Sequence, residues 1–230
     1  MSRRILEQGR EEVAAELAQY PRIGVGEPFG FVCAGCGECC RQRRDLLLSG
    51  FDLYRLARRL SLPPRLLADA FCKEGTGPET CLPTLRLKPN RRTGNCPFFD
   101  GGCTVHPARP LACALYPLGQ AIDPATAQIE YYVQPPLCGA VAENRTLQNY
   151  LEDAAITARV GTDARWAVVC SGLSATLRAA GGTANPHCKA AQHRILRALY
   201  YDYTIRDEFY PQFAANVERL LPLLDRLLCG

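Results

Sequence analysis

Histidine, tryptophan and methionine are nearly missing from this chain: three, one and one in 230 residues. A catalytic zinc on three imidazoles would consume His106, His187 and His193 together, so that design is set aside. No apolar run reaches the roughly 18 residues of a membrane-spanning helix, and no membrane partner is expected. The motifs HExxH, GxxxxGK[ST] and GxSxG are absent, which removes the zincin, P-loop and serine-hydrolase designs. The spacing C-x3-C-x2-C of the radical enzymes is absent too. Neither sign of charge dominates. Lys and Arg number 27 against 23 Asp and Glu, and a net charge of +4 is too small to argue for nucleic acid. The first twenty residues alternate charge with helical periodicity and lack a signal peptide's apolar stretch, so a cytoplasmic address is expected.

What is abundant is cysteine, with 13 residues. Ten fall between Cys33 and Cys138, and three follow at Cys170, Cys188 and Cys229. A reducing cytosol disfavours disulfides, and an odd count does not close a disulfide set. Metal binding or catalysis is the reading that remains.

The composition is globular, with 47% hydrophobic and 22% charged residues. The expected fold class is α+β and predominantly helical: a loop-rich, cysteine-ligated metal core with short strands, followed by C-terminal helices. Residues 1–21 read as an N-terminal helix, amphipathic over 3–19 and ended by Pro21. Residues 22–142 read as the metal-binding domain and 143–230 as a helical region. Within the domain, 22–44 reads as loop. Ser49 and Asp52 cap a helix through LYRLARRL, and Pro63-Pro64 open a second, RLLADAF, with Cys72 on its apolar side. Strands are expected at 84–88 and 128–134. Helices are expected at 143–160, 163–180, 189–201 and 206–228.

The first motif is Cys33-Ala-Gly-Cys36-Gly-Glu-Cys39-Cys40. Two residues between cysteines let a turn carry both thiolates to one centre, and Gly35 and Gly37 permit the positive φ such a loop needs. Three thiolates so spaced can grip three irons of a [4Fe–4S] cluster or supply zinc ligands. Cys39 and Cys40 are adjacent, so their side chains are expected to diverge and not to share one ion. A second group comprises Cys96-Pro97-Phe98-Phe99, Cys103-Thr104-Val105-His106, Arg109-Pro110-Leu111-Ala112-Cys113, Tyr116-Pro117 and Cys138-Gly139. Cys96, Cys103, Cys113 or Cys138 is the remote ligand.

These motifs, in this order over roughly residues 29–140, resemble the CxxCxxCC family, also called the YkgJ-type zinc- or iron-chelating domain. His106 departs from the pattern, which carries an aromatic there. The resemblance implies a metal centre whose ligands are Cys33, Cys36, Cys39, Cys40, Cys96, Cys103, Cys113 and Cys138, enough for two four-cysteine sites or one cluster with spares. It implies an iron–sulfur cluster as the first expectation, with redox or protein-modifying use, and a structural zinc module that presents its helices to a partner as the alternative. By analogy to the flagellin lysine methylases it also implies SAM-dependent methyl transfer to protein lysines as a third reading. Whether the chain is an enzyme stays open, as does its protein partner or substrate.

A thiolate-bound centre carries a net charge of about −2. Arg41, Arg43, Arg44, Arg91, Arg92 and Arg109 stand near the motifs to balance it. Arg109 lies inside a motif and is the cofactor-binding candidate, fitted to hold a sulfide, carboxylate or phosphate. Several other features read as ordinary structure. Cys72 and Cys170 are expected in the core and Cys229 at the surface. His187, Cys188 and His193 look like a helix start. Tyr200, Tyr201, Tyr203, Phe209, Tyr210 and Phe213 fall at core spacing. Gly24-Val25-Gly26 lacks a clear preceding strand and a third glycine, so it is not read as a nucleotide loop.

Overall fold

Ser49 begins the first helix by a reciprocal cap. Its hydroxyl accepts from the Asp52 backbone N–H at 3.1 Å, while the Asp52 carboxylate accepts from the Ser49 N–H at 3.1 Å. Two orphan donors are satisfied at once, and the helix runs Gly50–Leu60. Ser49→Ala should cost about 1 kcal/mol, read as a shift of the urea midpoint; an unchanged midpoint would show that the cap carries nothing. This computed structural model describes residues 17, 19–41, 46–123 and 125–229. The helix expected over 3–19 lies almost wholly outside them, as do Arg43 and Arg44.

The fold is α+β, with several short strands and helices. The chain divides into two compact units, neither contiguous in sequence. The first comprises 45–88 and 169–230; the second comprises 2–44 and 89–168.

In the first unit, strands β3 (Leu46–Leu48), β4 (Cys72–Thr76) and β5 (Pro83–Leu87) form an antiparallel sheet with β5 in the centre. Helix Gly50–Leu60, helix Pro64–Phe71, helix Cys188–Leu196 with its π-helical continuation Arg197–Tyr201, and helix Phe209–Cys229 belong to the same unit. Leu48, Leu53, Leu56, Leu67, Leu85, Ile195, Leu199 and Leu224 are buried there. The aromatic stretch is core. Tyr203 stacks on Phe209 with centroids 4.8 Å apart, the Tyr200 hydroxyl donates to the Leu48 carbonyl, and the Tyr201 hydroxyl donates to Glu74. Only Tyr210 of that group is exposed. Cys72 is buried as expected, but it starts β4 rather than ending a helix. Its extended backbone pairs with Leu87, a ladder partner that local periodicity does not reveal. Burial pushes the Cys72 and Cys170 thiols up to about 12, though by solvent exposure Cys72 is buried and Cys170, expected in the core, is only half-buried.

In the second unit, β1 (Arg22–Ile23), β7 (Ile129–Val133) and β6 (Leu118–Ile122) form one antiparallel sheet. β2 (Phe31–Val32) and β8 (Ala140–Val141) form a second. The segment 22–44, read as loop, therefore contains two strands. Each is two residues long, too short for alternation to register. β1 does precede Gly24-Val25-Gly26, but that segment closes a turn through the Glu27 N–H and the Gly24 carbonyl rather than opening a helix. The core joins Ile23, Phe29, Phe31, Ala114, Leu115, Leu118, Tyr131, Leu147, Tyr150, Leu151 and Ile156.

The helix expected over 143–160 is instead Leu147–Asp153, and the next begins at Val160. Ala155 sits at φ 56°, and the Ile156 N–H turns back to Leu151, which breaks the helical ladder. The buried Arg159–Asp163 ion pair, at 2.6 Å, fixes the restart. Among the described residues no helix is long and apolar enough to cross a membrane.

Candidate metal centre

All eight motif cysteines fall in the second unit. The first loop is shaped by two glycines in the left-handed region, Gly35 at φ 67° and Gly37 at φ 71°. Gly37 opens a 3-10 turn over Glu38–Cys40, closed by the Cys40 N–H on the Gly37 carbonyl at 2.8 Å. A side chain at Gly37 has no room: a Cβ there would lie 2.3 Å from the Phe99 ring. Phe99 also carries the Arg41 guanidinium over its face, 4.9 Å from the centroid, and Arg41 pairs with Glu38 at 3.1 Å.

The second group docks on the first by main chain. The Cys96 N–H donates to the Cys40 carbonyl at 2.8 Å. From there Phe99 N–H returns to Cys96, Phe99 bridges to Cys103, and the Thr104 N–H and hydroxyl both donate to the Phe98 carbonyl. The loop 96–104 is thus folded on itself and held against the 3-10 turn.

This arrangement brings four thiols together. Cys40 is buried and its thiol shares hydrogen bonds with Cys103, Cys39 and Cys96. Those bonds, then burial, push the Cys40 thiol far up. Cys103 moves the other way, down to about 6, because Cys40 donates to it, the Val105 N–H donates to it, and Arg109 is nearby. Cys39 and Cys40 were expected to diverge, and they do not. Cys39 is half-buried and Cys40 buried in the 3-10 turn, and the two thiols still meet.

A smaller group lies alongside. Cys138 is hydrogen-bonded to Cys36 and to the Tyr116 hydroxyl; burial, then Cys36, raises its pKa, and the Tyr116 hydroxyl acts the other way. The charge of Cys39 reaches both Cys103 and Cys138, so Cys39 stands near both groups. Cys33 and Cys36 are exposed. Cys33 and Cys103 line an open cleft of about 560 Å³ with Gly35, Asp100, Thr104 and His106. Cys113 is half-buried on helix Leu111–Leu115, where its N–H bonds the Pro110 carbonyl. None of the twelve cysteines whose side chains are described is in a disulfide.

Two tyrosines, unremarked as site residues in the sequence, brace the region. The Tyr150 hydroxyl donates to the carbonyls of Ala114 at 2.9 Å and Tyr116 at 2.6 Å. The Tyr116 hydroxyl accepts from the Leu137 N–H, next to Cys138. Phe31 meets both rings edge-on. The only sequence signal for this brace was the aromatic-Pro pair Tyr116-Pro117. Tyr150→Phe strands two carbonyls and should cost about 1–3 kcal/mol in denaturant titration; no loss would mean that water replaces the hydroxyl.

Arg109 Nη1 lies against His106 Nε2, donating to a neutral imidazole. Burial, then the Arg109 charge, lowers the His106 pKa. The position where the family pattern has an aromatic is therefore an exposed, uncharged partner of Arg109. Among the described residues, no group of three or more His, Cys, Asp or Glu side chains is arranged so that it could hold a metal ion. The donor chemistry, four converging thiols, suits a thiophilic metal.

A family model described as "Putative zinc- or iron-chelating domain" matches residues 32–139. No curated protein and no solved structure matches the chain significantly.

Proposed function

We propose, because residues 32–139 belong to the CxxCxxCC domain family, that the chain binds a metal centre through Cys39, Cys40, Cys96 and Cys103. The observation that carries the reading is the convergence of three thiols on Cys40. Cys36 and Cys138, with Cys33 and Cys113 nearby in sequence order, are the reserve for a second centre or for exchange. Arg109 is the cofactor-side cation: its charge already acts on Cys103, and it would offset a centre of about −2.

Two occupants compete. An iron–sulfur cluster is what the first motif's spacing favours, and it would supply one-electron chemistry. A single zinc ion is what the close approach of the thiols favours. With Zn–S bonds of about 2.3 Å, tetrahedral thiolates sit about 3.8 Å apart, near the reach of sulfur hydrogen bonds. A cluster spreads its ligands over separate irons and keeps them from touching. Metal binding displaces the thiol protons and couples the site to folding.

Anaerobic purification followed by iron, sulfide and zinc analysis with a visible spectrum decides between them. Stoichiometric iron and sulfide with broad visible absorption establish the cluster. One or two zincs with a featureless spectrum establish the structural site, and neither metal after reconstitution overturns the proposal. Titration of SAM into the metal-loaded protein should give a flat calorimetric trace; saturable binding would move the reading to methyl transfer.

A further inference from the structure

Cys81 and Cys188 stand outside the motif cysteines, in the first unit. Both are buried, 6% and 3% exposed. Cys81 lies in the turn between β4 and β5, at φ 57°, a left-handed conformation that residues with a Cβ seldom adopt. The turn holds it there: its N–H donates to the Gly77 carbonyl at 2.9 Å, and the Gly77 N–H donates to Leu82 at 2.8 Å. Backbone held in such a region is a reason to look for a use.

Helix Cys188–Leu196 lies directly over this turn. The Gln192 side-chain amide donates to the Cys81 carbonyl at 2.8 Å. Gln192 is one helical turn beyond Cys188, so both occupy one face of that helix. The segment leading into the helix also meets Cys81, because a Cβ built at Gly182 would lie 3.2 Å from the Cys81 sulfur. The two thiols are near enough that Cys81, after burial, contributes to raising the Cys188 pKa.

We propose that Cys81 and Cys188 form a reversible disulfide, a redox clasp between the β4–β5 turn and the first turn of helix Cys188–Leu196. The oxidant is a small disulfide such as oxidised glutathione. One thiolate attacks it and releases one glutathione thiol. The second thiolate then attacks the mixed disulfide and releases the other. One S–S bond forms, one breaks, and two electrons and two protons pass to glutathione. The clasp closes a long loop, so the oxidised chain gains stability by restricting its unfolded state.

The experiment uses the full chain, equilibrated anaerobically in glutathione buffers from fully reduced to fully oxidised. Samples are acid-quenched, alkylated under denaturing conditions and mapped without reduction. The expected result is a Cys81–Cys188 linked peptide that dithiothreitol removes, and a melting temperature that rises with its yield. C81S and C188S should lack both effects and keep the wild-type metal content. Cys81 and Cys188 singly alkylated at the oxidising end would overturn the proposal, as would either thiol paired with Cys72, Cys170 or glutathione alone. Peptide mapping of the unsubstituted protein decides the case even if a variant fails to fold.

Discussion

Gly37→Ala is expected to destabilise the cysteine-bearing unit by about 2–4 kcal/mol. Two costs add. An L-residue at φ 71° pays about 1 kcal/mol for the left-handed backbone. The new methyl would also sit 2.3 Å from Cε2 of Phe99, and overpacking of this kind costs about 1–3 kcal/mol. Relief requires Phe99 to move, and Phe99 is tied to Cys96 by hydrogen bond and to Cys103 by a bridge. The strain therefore passes straight to the thiols. Gly35→Ala is the matched control. Its φ is 67°, yet a Cβ there meets nothing within 4 Å, so it should cost only about 1 kcal/mol. Urea midpoints of the two variants, measured with metal chelated, check the difference. Equal shifts would mean that the ring contact does not set the loop.

Cys40→Ser is expected to reduce bound metal from stoichiometric to background. Cys40 is the thiol on which Cys39, Cys96 and Cys103 converge, and it is the most buried of the motif cysteines. A hydroxyl in its place is shorter, harder and not ionised at neutral pH, so it is a poor ligand for a thiophilic metal. Cys170→Ser should leave the metal unchanged, because that thiol belongs to the other unit and is held neutral by burial. Cys33→Ser and Cys36→Ser test the exposed half of the first loop. Full metal content in both would confine the centre to Cys39, Cys40, Cys96 and Cys103. Wild-type metal in Cys40→Ser would remove that centre altogether.

What was legible in the sequence is what rests on local chemistry. Gly35 and Gly37 between cysteines were legible as positive-φ positions because only glycine takes them without cost. The Ser49–Asp52 cap and the strand around 84–88 were legible because each rests on local chemistry. The convergence of Cys39 with Cys40 was not, because it depends on a 3-10 turn pinned by Phe99, far along the chain. Nor were β2 and β8, which exist only because Phe31 and Val141 pair across more than a hundred residues. Tyr150 was invisible as a brace because its partners are carbonyls, which leave no trace in side-chain pattern. The exchange of 46–88 into the unit of the C-terminal helices was hidden for the same reason: its leucines read as apolar wherever they pack.

That exchange sets an order of events on the ribosome. The cysteine-bearing unit has every residue it needs once position 168 has emerged, so its thiols can meet while synthesis continues. Segment 46–88 has by then been outside the tunnel for much of translation, with Leu48, Leu53, Leu56, Leu67 and Leu85 awaiting helices not yet made. At about 5–20 residues per second the wait lasts seconds. During that interval the nascent chain carries a finished cysteine cluster and an unfinished hydrophobic cargo. A chaperone that holds this protein would be expected to grip the segment between its cysteine clusters rather than the clusters themselves.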